Sequence, residues 1–101
     1  MAQLTITDII NALKNTVDPE IGINIVDLGL IYDIKVDAQN NISLKLTMTS
    51  PMCPVTSVIM ADVQLRLENL PEVGKVALDL VWEPAWSPEM ISEEYRVAMG
   101  A

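Results

Sequence analysis

The sequence predicts an α+β domain of two layers, with helices on one face of a small three-stranded mixed sheet. Three observations predict it. Apolar residues recur at helical spacing in several segments. They alternate with polar residues in three short ones. The segments follow one another in the order α-β-β-α-β-α. A length of 101 residues suits one domain, spanning 1–101, which buries roughly 60–70% of the unfolded chain's surface.

Ile6, Ile9, Ile10, Leu13 and Val17 share a helical period, which predicts a first helix over about 6–16. Thr5 and Asp8 form the pattern of a capping box, and Leu4 is placed to staple onto Ile9. Asp18-Pro19 stops the helix, because the residue before proline disfavours the α region. Residues 18–29, DPEIGINIVDLG, fit neither period and read as an ordered loop held by its apolar side chains. Leu30, Tyr32, Ile34 and Val36 then alternate with Ile31, Asp33 and Lys35, giving the first strand. After a polar turn at 37–41, Ile42, Leu44, Leu46 and Met48 alternate with Ser43, Lys45 and Thr47. The two runs make a hairpin.

Thr49 to Pro54 is a second special loop. Beyond it, Val55, Val58, Ile59, Val63, Leu67 and Leu70 mark one face of a long helix over about 54–69, with Pro54 suited to its first position. Pro71 ends it. Val76, Leu78 and Leu80 predict the third strand. In the tail, Ser87 is an expected N-cap with Pro88 behind it, and Ile91, Tyr95 and Ala98 share a face of a short helix.

Composition excludes several function classes. The chain has no histidine, one cysteine and a net charge of −8. Without histidine, the usual general base near neutral pH is missing. One cysteine rules out an intrachain disulfide framework. Fourteen acids against six bases oppose nucleic-acid binding, which needs Lys and Arg to displace counterions. No run approaches a membrane span, and the first residues lack the pattern of a signal peptide. A cytoplasmic protein with a reduced thiol is the expectation. Glycine-rich phosphate loops are absent.

Three places remain for chemistry. Cys53 stands just before Pro54, at the expected start of the second helix. Unpaired N–H groups there favour a thiolate, although free cysteine is also a common small core residue. Asp18, Glu20 and Asp27 lie in the first loop, where acids serve turn hydrogen bonding as readily as a site. Trp82, Glu83 and Trp86 form WEPAW with Pro84 and Ala85. That segment reads either as a cap over the core or as a recognition patch.

The blocks DPEIGINIVDLGLIYDI (18–34), TMTSPMCP (47–54) and VWEPAWSPEMIS (81–92), in this order, resemble the SufT/PaaD-like metal–sulfur cluster assembly family. That family includes the eukaryotic cytosolic iron–sulfur targeting factors, and the likeness covers nearly the whole chain. It implies a small α+β fold and an accessory role in maturing iron–sulfur proteins, with no catalytic activity of its own. The family's reactive cysteine matches Cys53. Its DPE acids match Asp18 and Glu20, its DLG motif matches Asp27, Leu28 and Gly29, and its tail motif matches Trp82, Glu83, Pro84 and Trp86. The extra C-terminal cysteines typical of the PaaD branch are absent, so the stand-alone bacterial form is the better match.

Elementary chemistry limits the mechanism. A stable iron–sulfur cluster needs about four ligands, usually thiolates. One chain offers one thiolate and some carboxylates, so no tightly held cofactor is expected. Cys53 would hold iron or a cluster transiently, as a thiol shared across an interface. The partners would be the assembly machinery and client iron–sulfur proteins, or a second copy in a homodimer. Three other roles stay open at this point: a pure interaction module, an accessory protein of a multicomponent oxygenase with Cys53 structural, and a thiol redox sensor.

Overall fold

The structure is a computed structural model, and it describes residues 3–49 and 55–93. Helix α1 runs over Ile6–Leu13. Its capping box forms as the sequence predicts: Asp8 N–H donates to Thr5 Oγ1 at 3.1 Å, and Thr5 N–H donates to Asp8 Oδ2 at 3.0 Å. The helix is shorter than predicted. After Leu13 the bonds tighten to Asn15 N–H on Ala12 and Thr16 N–H on Leu13, the three-residue closure typical of a fraying end. Val17 therefore leaves the helical face. It bridges to Asn24 instead and is 47% exposed.

The hairpin joins β1 (Ile31–Val36) to β2 (Ile42–Leu46). Strand β2 shows the strict inside–outside alternation that its sequence predicts. Strand β1 does not. Its register against β2 slips between Ile31 and Asp33, so Tyr32 is an inserted residue and the expected row of Leu30, Tyr32, Ile34 and Val36 is broken. Helix α2 (Thr56–Glu68) crosses back to β3 (Val76–Leu80), which pairs in parallel with β2. The strand order is β1-β2-β3, a mixed sheet as predicted.

Both helices pack toward the same layer as Leu44 and Leu46, and the core is one cluster. It includes Ile9 and Leu13 of α1, Ile25, Leu28 and Leu30 of the first loop, and Ile59, Val63 and Leu67 of α2. The sheet's other side carries Ser43, Lys45, Ala77 and Asp79, all exposed. Two expectations for α2 are corrected. Its N-cap is Val55, without a side-chain cap bond, and its first residue is Thr56 where the sequence predicts a start near residue 54. Val58 is 60% exposed, because Ile59, Val63 and Leu67 alone form the buried row. Among the described residues, no helix is long and apolar enough to cross a membrane.

The tail continues from β3 through the Trp82–Trp86 segment into a single 3₁₀ turn, Pro88–Met90. Ser87 occupies its N-cap with no side-chain bond. Ile91 is buried in the core. Tyr95 and Ala98, the rest of the predicted helical face, lie outside the described residues.

Candidate functional site

The first loop is built from two turns. Asp18 organises the first. Its carboxylate accepts from Glu20 N–H at 2.9 Å, its carbonyl accepts from Gly22 N–H at 2.7 Å, and its N–H donates to Ile23 at 3.1 Å. Asp18 is 1% exposed. It is therefore a buried turn residue, while Glu20 stands in solvent. Asn24 organises the second turn. Its Oδ1 accepts from Val26 N–H at 3.1 Å and from Asp27 N–H at 3.0 Å, and its Nδ2 donates to Asp27 Oδ2 at 2.6 Å. Sequence reasoning passed over Asn24. The signal was an Asn opening a turn three residues ahead of an Asp.

The DLG motif is where the tail docks. Trp86 Nε1 donates to the Leu28 carbonyl at 2.8 Å, and Ser92 N–H donates to the Asp27 carbonyl at 2.7 Å. Gly29 lies so close to Met90 that an added Cβ would stand 2.3 Å from the Met90 carbonyl oxygen. Gly29 also has φ +84°, a conformation that costs glycine little. Tyr32 adds a further clasp: its hydroxyl donates to the Pro84 carbonyl at 2.7 Å. Burial holds the Tyr32 hydroxyl above its ordinary pKa of 10.0. The strand alternation gave no hint of this role, which depends on the bulge.

The two tail tryptophans do different work. Trp86 is half-buried, packs on the core and is hydrogen-bonded, so it is an anchor. Trp82 is 40% exposed, and Glu83 is exposed beside it. Met48, Thr49, Trp82, Ala85 and Trp86 line a groove of about 260 Å³. Met48 and Thr49 follow the end of β2 and precede residues 50–54 in the sequence. Thr47, immediately before, is fully buried, and its hydroxyl has no hydrogen-bond partner among the described residues. Cys53 itself lies outside the described residues. The groove therefore joins two of the predicted blocks, since TMTS supplies Met48 and Thr49 while WEPAW supplies the rest.

The three loop acids do not converge. Asp18 is buried in its own turn, Glu20 faces solvent, and Asp27 is held by Asn24. Among the described residues, no group of three or more potential metal-ligating side chains stands together.

The fold and site define a small α+β domain in which the first loop and the tail are locked to each other beside a tryptophan-lined groove. The chain belongs to the iron–sulfur cluster assembly protein family, whose model matches residues 6–78. It is 40% identical over 93 residues to an Fe-S protein maturation auxiliary factor of Porphyromonas gingivalis, covering 92% of this chain and 89% of that one. It is 38% identical to the corresponding auxiliary factor of Bacillus subtilis, covering 92% and 91%. A conserved hypothetical protein of Thermotoga maritima, 41% identical, superposes over 100% of both chains with a TM-score of 0.88. The resemblance read from the three sequence blocks is thereby shown.

Proposed function

We propose that this chain is an accessory factor in iron–sulfur protein maturation, without catalytic activity of its own. Near-full-length similarity to proteins named as maturation auxiliary factors carries the reading. Iron or a cluster is cargo here, held briefly by the Cys53 thiolate, with the other ligands supplied by the assembly machinery or the client. One thiolate per chain is too few for a closed cluster site. No cluster of carboxylates among the described residues makes up the difference. The reduced thiol fits the cytoplasm.

The groove supports a docking role in addition to that of the thiol. Its exposed rim is Trp82 with Glu83, and a half-exposed tryptophan is a common anchor in protein recognition. Asp18 and Asp27 shape the loop under the tail, and Glu20 is the one loop acid free to meet a partner.

Complementation separates the roles. In a strain lacking the protein and placed under high iron–sulfur demand, aconitase activity should return with the wild type, fail with Cys53→Ser and fall with Trp82→Ala. Full rescue by Cys53→Ser with loss in Trp82→Ala would instead mark a pure interaction module. Anaerobic reconstitution with iron and sulfide, wild type against Cys53→Ser, checks the cargo directly through visible absorbance and mass.

A further inference from the structure

The outer edge of β1 is open. Strand order places β1 at the side of the sheet, and among the described residues no strand pairs with its free side. The ladder's parity fixes which groups point outward. Asp37 N–H donates to the Asn41 carbonyl at 3.1 Å, and Ile42 N–H donates away from β1, to Lys75 at 2.7 Å. In an antiparallel ladder these orientations alternate. Asp33 and Lys35 therefore bond toward β2, and the backbone of Ile34, paired with Leu44, faces outward.

We propose that this edge binds the same edge of a second copy, antiparallel and centred on Ile34. The centring follows from charge. Asp33 and Lys35 flank Ile34 and lie on one face of the strand 3.7 Å apart, Lys35 exposed and Asp33 half-exposed. A two-fold axis at Ile34 sets Asp33 opposite the second copy's Lys35, and Lys35 opposite its Asp33. With Ile34 of each copy exchanging two N–H···O bonds, the Asp–Lys pairs fall at the non-hydrogen-bonded positions, where cross-strand side chains come closest.

An edge lysine ordinarily keeps strands apart; here Asp33 offsets it in each copy. The strand is locally neutral in a chain of net charge −8. Strand β3 offers no such match, since VALDL holds an acid and no base. A groove of about 350 Å³ runs beside the β1 edge, lined by Ile6 and Ile10 of α1 and by Ile31, Tyr32, Asp33 and Ile34 of β1. Ile6 is 40% exposed, and a second copy would cover this groove. The dimer would continue the sheet to six strands across the axis.

The proposal does not rest on the maturation role, and its test reads only mass and exchange. Sedimentation equilibrium of the full chain should give a dimer. Asp33→Lys alone, or Lys35→Asp alone, sets like charges opposite each other and should raise the dimer Kd about tenfold or more. The swapped double variant Asp33→Lys/Lys35→Asp should restore the dimer. An equimolar mixture of the two single variants should form a heterodimer, because one then presents two lysines to two aspartates. Exchange of the Ile34 amide should slow with protein concentration in the wild type and in the double variant, but not in either single variant alone. Circular dichroism checks that each variant is folded. A wild type that stays monomeric to millimolar concentration, or a dimer indifferent to both single reversals, overturns the proposal.

Discussion

At the scale of single residues, Gly29 joins the loop to the tail. Two separate costs meet there: a left-handed backbone, and a methyl group driven into Met90. Gly22 has the same backbone, at φ +83°, with nothing within 4 Å of the added Cβ. Gly22→Ala should therefore cost about 1 kcal/mol, the conformational part alone. Gly29→Ala should cost at least about 2 kcal/mol more, because backbone atoms must move. Urea midpoints measure both, and equal losses would refute the close approach. Asp62 makes a pH prediction. It accepts from the Thr16 hydroxyl at 2.6 Å and from Arg66 at 2.8 Å. These two partners, Thr16 first, hold its carboxyl below the ordinary 3.8. A carboxyl with a lowered folded pKa adds stability above its unfolded pKa, and that stability is lost as pH falls through the folded value. Asp62→Asn should flatten the acid side of the stability–pH curve below about pH 4. Denaturant titrations at stepped pH read this directly. Asp37, lowered mainly by its bonds to Asn41, acts with the same sign and leaves a residual slope.

At the scale of elements, the β-bulge in β1 decides what the hairpin can hold. By alternation Tyr32 belongs to the buried row, but the inserted position lets its hydroxyl reach Pro84, 52 residues away. Bulges often re-aim a side chain beside a functional region. Tyr32→Phe removes one hydrogen bond and little packing, so it should cost about 1 kcal/mol. It should also speed proteolysis in the tail, around 82–92, more than elsewhere. Uniform acceleration along the chain would mean that the clasp does not hold the tail in particular. Helix α2 teaches a related lesson. Its apolar residues occur on more than one face, so periodicity alone admits Val58 to the core row. The sheet it packs on selects Ile59, Val63 and Leu67.

At the scale of the whole molecule, the loop after α1 and the tail after β3 form one surface, although they come from opposite ends of the chain. Trp86 and Leu28 are 58 residues apart in sequence. Ending the chain after Val81 removes that bond, the Met90 packing on Gly29, the Ser92 bond to Asp27 and the buried Ile91. The remaining protein should lose roughly 3 kcal/mol or more. Amide protection over residues 24–30 should fall further than protection in β2, which keeps both neighbours. Hydrogen exchange of the two chains compares the segments, and equal loss in both would show that the tail merely adds to global stability.

The sequence by itself determined the capping box at Thr5, the hairpin, the α-β-β-α-β order and the three blocks that mark the family. Those features depend on residues within a few positions of each other, where caps, alternation and proline act without help from the rest of the chain. It also predicted that the loop acids were as suited to turns as to a site, and Asp18 in its buried turn is the instance. Tertiary structure decided the rest. It ended α1 at Leu13, because the chain must turn there to bridge Val17 to Asn24. It moved the start of α2 to Thr56, turned Val58 outward and divided Trp86 the anchor from Trp82 the exposed rim. These outcomes are set by contacts outside the local repeat, from the Val17–Asn24 bridge to the Trp86 bond with Leu28, 58 residues away, and no local period carries that information.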